Sequence, residues 1–116
     1  SATSARQRSD ETISVGRIDI RLKTSGRNRK QALANVYVVD RNNQPVAGVT
    51  VSTAWSGLTS DTDVTQTGAN GLTPNIASNT VTVSSGTFIV TVKDLRKDGF
   101  TYNPSANAET SDRVSF

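Results

Sequence analysis

From about Ile13 onward, apolar and polar positions alternate with a period of two, and turn residues break the alternation at short intervals. The first clear run is Gly16–Lys23. Ile18, Ile20 and Leu22 fall on one face, and Arg17, Asp19, Arg21 and Lys23 on the other, which predicts a half-buried strand. A polar loop over Thr24–Lys30 follows, with Gly26 as its pivot. The second run, Gln31–Asp40, sends Ala32, Ala34, Val36 and Val38 inward and Leu33, Asn35, Tyr37 and Val39 outward. If these runs pair as a hairpin, one register buries both apolar faces: Leu22 opposite Ala32, Ile20 opposite Ala34, Ile18 opposite Val36. A slip of one residue would expose them all. The same register sets Arg17 beside Tyr37 and Arg21 beside Leu33, where the arginine stems can cover apolar side chains.

Beyond Asp40 the pattern continues in shorter pieces. Asp40–Val46 reads as a tight turn, since Asp and Asn tolerate turn backbones and Pro45 restricts the chain. Gly48–Trp55 alternates again, with Val49, Val51, Thr53 and Trp55 on one face. A polar loop is expected through Ser60–Asp63, then a weak strand at about Val64–Thr67 and a turn at Gly68–Gly71. Pro74 argues for an edge strand around Leu72–Ile76. Thr80–Val83 is short, and Thr87–Lys93, with Phe88, Val90 and Val92 on one face, is the strongest strand. A turn at Tyr102–Pro104 and a closing strand near Asp112–Phe116 complete the series. About seven or eight short strands with no helical period predict an all-β antiparallel sandwich over residues 13–116. Residues 1–12, polar and without periodicity, read as a linker or tail.

Composition narrows the chemistry. The 116 residues suit one domain. There is no Cys, so neither a disulfide framework nor a thiolate nucleophile is available, and no His, the usual acid–base group near neutral pH. No G-x-S-x-G elbow is present, and an enzyme is not expected. Nothing approaches the ~20 apolar residues of a membrane span. The net charge of +3 is too small for a dedicated nucleic-acid binder, and interleaved aromatics are nearly lacking.

The run Val38-Val-Asp-Arg-Asn-Asn-Gln-Pro-Val-Ala-Gly-Val-Thr-Val51, followed by Trp55-Ser-Gly57, resembles the turn-and-strand pattern of bacterial immunoglobulin-like and fibronectin-like accessory modules. Gly86–Val92 and Gly99–Asn107 resemble the closing strands of such modules, so the likeness covers about Ile18 to Asp112. Asn43 stands where those modules usually carry Gly, and the arginine-rich stretch Arg27–Lys30 lies outside their pattern. Such modules accompany secreted hydrolases, including subtilisin-like proteases, and surface proteins. The resemblance implies an immunoglobulin-like fold, secretion or a cell-surface location, and a non-catalytic role as spacer, stabilising or docking domain. The expected partner is a neighbouring domain of the same polypeptide, with the chain itself a monomer. Two alternatives carry different ligands: a carbohydrate-binding module that targets an attached enzyme to an extracellular polysaccharide, and an adhesin-type repeat domain that binds protein.

Four groups of side chains are candidates for such contacts. Arg17, Arg21 and Lys23, with Arg27, Arg29 and Lys30 and with Tyr37 beside them, are expected to form one basic stripe for an anionic polysaccharide or for a catalytic domain of the same polypeptide. Phe100 and Tyr102 share a parity and, if exposed, would form an aromatic platform. Asp61 and Asp63 are the close carboxylate pair; no cofactor is expected, but a flexible loop there would make calcium the candidate metal. Trp55 shares its face with Val49 and Val51 and belongs to the core, where its indole N–H would need a buried acceptor.

Overall fold

A computed structural model describes residues 11–116; the proposed tail over residues 1–12 lies largely outside them, and Thr12 already begins the first strand. Among the described residues, nine strands form two sheets. β1 (Thr12–Ser25) and β2 (Arg29–Asp40) pair as the predicted antiparallel hairpin. β3 (Thr50–Gly57) and β4 (Asp61–Gln66) form a second hairpin in the other sheet. The chain then returns to β2 with two short strands, β5 (Ile76–Ala77) and β6 (Val81–Thr82). β7 (Thr87–Arg96) pairs with β3, β8 (Thr101–Tyr102) runs parallel to the start of β1, and β9 (Ser111–Ser115) closes on β7. One sheet therefore has the order β5–β2–β1–β8, with β6 also on β2, and the other β4–β3–β7–β9. This is an all-β sandwich.

The register of the first hairpin is the one that hydrophobic burial demands: Ile18, Ile20 and Leu22 face Val36, Ala34 and Ala32. The core lies between the sheets. Ala32, Ala34, Val36, Val38, Val49, Val51, Trp55, Phe88 and Val90 are all buried within it. Two bulges keep long strands in phase with this core. At Gly16 the register of β1 shifts, so that Ile13 and Val15 on one side and Ile18 on the other all face inward. A Cβ at Gly16 would stand 2.9 Å from Cδ2 of Tyr37, which explains the glycine. A second shift, between Ser52 and Thr53, lets both Val92 and Leu95 of β7 turn inward.

Several expectations need correction. The Ser60–Asp63 loop is mostly strand, because β4 starts at Asp61 and pairs with Trp55 across the hairpin. Val39, expected outward, is buried: it bridges to Pro45 and lies over the bulge at Gly16. Around Pro74 regular pairing gives way to side-chain stitching. Thr73 and Ser78 hydroxyls accept from the N–H groups of Val36 and Ala32 at 3.0 and 2.9 Å, replacing backbone acceptors along β2. The turn expected at Tyr102–Pro104 divides into β8 and a single 3-10 turn, Pro104–Ala106.

Candidate functional site

The hairpin β1–β2 carries most of the basic candidates. Arg17 is paired with Asp19 at 3.1 Å, and its guanidinium lies 4.5 Å from the centre of the Tyr37 ring. Arg21 is held by Asn35 and Asn75 through hydrogen bonds of 2.9 and 2.8 Å. Lys23 is exposed on the same face, and Arg27 and Arg29 are exposed at the hairpin tip. Lys30 does not join them. It has the inward parity of Ala32, and its Nζ sits 5.3 Å from the centre of the Phe116 ring, towards the other sheet. The stripe therefore comprises Arg17, Arg21, Lys23, Arg27 and Arg29 with Tyr37, and two of its arginines are already engaged.

The aromatic pair does not stand free. Phe100 and Tyr102 are both half-buried against the core, as packing over one end of the sandwich requires. Tyr102 pairs with Ile13, and its hydroxyl accepts a 2.7 Å hydrogen bond from Asn107. Lys97 lies 6.0 Å from the Phe100 ring centre while its ammonium donates to the Ala47 carbonyl at 2.8 Å.

Asp61 and Asp63 share the inner face of β4 with Trp55 and Thr53 on the neighbouring strand. The strand geometry overturns the flexible loop on which the calcium expectation rested. Among the described residues, no three His, Cys, Asp or Glu side chains converge. Trp55 is 2% exposed, in the core as its alternation predicts, with Phe88 edge-on to it at 6.4 Å. Its Nε1 and the Oδ2 of Asp63 are both buried without a hydrogen-bond partner. Burial raises the Asp63 pKa above its ordinary value, and the neighbouring Asp61 charge raises it further; the Trp55 N–H acts in the opposite direction. The indole thus faces the carboxylate closely enough to favour its charge, but falls short of a hydrogen bond. The reading of Trp55 as core left its acceptor open. Equal parity of Asp61, Asp63 and Trp55 across a short hairpin was the available signal that they share a face.

The end of the sandwich near β3 and β7 has a shallow polar depression of about 340 Å³, lined by Gly48, Thr50, Gln66, Arg96, Lys97 and Asp98. Both signs of charge line it.

A further arrangement had no sequence signature. Residues 101–109 run along the outer edge of β1. Asn103 N–H donates to the Ile13 carbonyl, Ala108 N–H to the Val15 carbonyl, and Val15 N–H to the Asn107 side chain at 2.7 Å. Glu109 ends the series by accepting from Ile18 N–H at 2.9 Å. No helix among the described residues is long and apolar enough to cross a membrane. The chain matches no family model, no curated protein and no solved structure.

Proposed function

We propose that the chain is an immunoglobulin-like, non-catalytic module of a secreted or cell-surface bacterial protein, acting as a spacer or docking domain for its neighbours. One observation carries the reading: the side chains best suited to chemistry or to stacking on a ligand are committed to the fold. Trp55 is core, Phe100 and Tyr102 seal one end, and the hydroxyls of Thr67, Thr73 and Ser78 complete backbone pairing. The strand order supports the immunoglobulin-like description. A hairpin in each sheet is followed by strands that cross back onto β2 and then β3, which is how Greek-key sandwiches of this kind are connected. What remains at the surface is a set of strand edges and a basic hairpin, features that suit contact with another macromolecule.

Sedimentation of the purified chain with insoluble polysaccharides and cell-wall material, at low and moderate salt, tests this reading. The expected result is no retention at moderate salt. Retention that persists there and disappears in Phe100→Ala or Tyr102→Ala would replace the docking module with a carbohydrate-binding one.

A further inference from the structure

We propose that the free edge of β1, from the Ile18 carbonyl to Thr24, accepts an extended acidic peptide segment as an added strand. The inference rests on the docking reading above and names the partner's chemistry.

Backbone geometry carries the first step. Ile18 N–H points away from β2, to Glu109. Opposite it, Val36 turns its N–H away from β1, to Thr73, and Ala32 does the same, to Ser78. The two strands alternate in step, so Ile20, Leu22 and Thr24, opposite Ala34, Ala32 and Lys30, direct their N–H and C=O groups outward. Residues 101–109 cover this edge only as far as Ile18. Among the described residues nothing bonds to Ile20, Leu22 or Thr24 on that side, which leaves a ladder ready for another strand.

Charge selects the occupant. Six of the chain's 13 cations, but one of its 10 acids, lie between Arg17 and Lys30. A second copy pairing antiparallel about Leu22 would set Arg21 against Lys23, and like charges directly opposite are unfavourable. A strand with Glu or Asp at alternate positions would place its carboxylates beside Arg21 and Lys23. Its other face would extend the apolar layer of Ile20 and Leu22, both half-buried at this edge. Main-chain hydrogen bonds then supply affinity and the alternating side chains supply specificity. An anionic polysaccharide offers the charge without the ladder.

The test is NMR titration of the full chain with a seven-residue peptide of alternating Glu and Val. The same peptide N-methylated at the positions facing β1, and an acidic oligosaccharide, serve as comparisons. Amide shifts and slowed exchange are expected at Ile20, Leu22 and Thr24. N-methylation, or Lys23→Glu in the protein, should weaken binding about tenfold or more, roughly 1.4 kcal/mol. Equal binding of the N-methylated peptide or the oligosaccharide would reduce the site to unspecific charge, and unchanged amides at all three positions would eliminate it. Either failure leaves docking through another surface intact; polysaccharide retention dependent on Phe100 or Tyr102 would defeat the docking reading itself.

Discussion

Asp63 shows how one residue can work against the fold that holds it. In the fold its carboxylate bears desolvation and the repulsion of Asp61. Its folded pKa is therefore raised above the ordinary 3.8, and between the two values the folded state binds more protons than the unfolded one. The stability it permits is full below the unfolded value and declines as pH rises through the folded one. Asp63→Asn should therefore stabilise the protein at pH 7, and the gain should close as the pH falls toward 4. Urea unfolding of both proteins at the two pH values checks this; an equal difference at both would exclude the titration. Asn43 is a simpler case. It occupies φ 63° in the turn that Asp40 organises, where Asp40 Oδ1 accepts from Asn42 and Gln44 at 2.8 and 3.0 Å. Asn tolerates this left-handed backbone and Gly adopts it freely, so Asn43→Gly should change stability by less than about 0.5 kcal/mol, while Asn43→Val should cost about 1–2 kcal/mol in a denaturant titration. The turn was legible from Asp40, Asn43 and Pro45 because each has a local backbone preference.

At the scale of elements, legibility followed the clarity of the alternation. The inner face of the first hairpin is apolar from Ile18 to Leu22 and from Ala32 to Val38, so burial alone fixed its register. The bulges were written more faintly, as changes of parity: Ile13 and Val15 against Ile18, and Val92 against Leu95. β4 escaped recognition at its start because its inner face reads Asp61, Asp63, Thr65, which carries no apolar signal. That same face has a consequence for assembly. β4 is an edge strand, and Val64 on its outer face is 69% exposed, the composition of an edge that invites pairing. Inward carboxylates oppose this, since a strand added to β4 would bury them further. Replacing both, as Asp61→Thr with Asp63→Val, should raise the state of association above that of the unsubstituted protein, detectable by size-exclusion chromatography with light scattering. Adding Val64→Thr should reverse much of that association. A doubly substituted protein whose association at high concentration is unchanged would remove the protective role of the two acids. The candidate docking edge on β1 was illegible for a different reason: it depends on where a distant segment stops covering β1, and Glu109 sets that point from 91 residues away.

The whole molecule is held shut by that segment. β7 belongs to one sheet, residues 101–109 run along the edge of the other, and β9 returns to the first, so this excursion clasps the two sheets together. Asn107 is its central fastening. Its Oδ1 accepts from Val15 N–H at 2.7 Å, and its Nδ2 donates to the Tyr102 hydroxyl at 2.7 Å and to Thr110 at 3.0 Å. The interactions join the edge of β1 beside its bulge, the aromatic end of the sandwich and the approach to β9. Asn107→Ala would leave the partly buried Val15 N–H without its acceptor, at a cost of about 1–3 kcal/mol. For a domain of this size that corresponds to a fall in Tm of roughly 5–15 °C. Loss of a local contact and loss of a clasp differ in what opens first. If Asn107 fastens the sheets, hydrogen exchange in the variant should quicken at Val15 and Ile18 and at the β8 amides by more than the global loss of stability, while Val51 and Val90 in the centre of the opposite sheet quicken only by that loss. Uniform acceleration at all of these positions would mean that the segment contributes only general stability, and that β1 is held by the hairpin and the core alone.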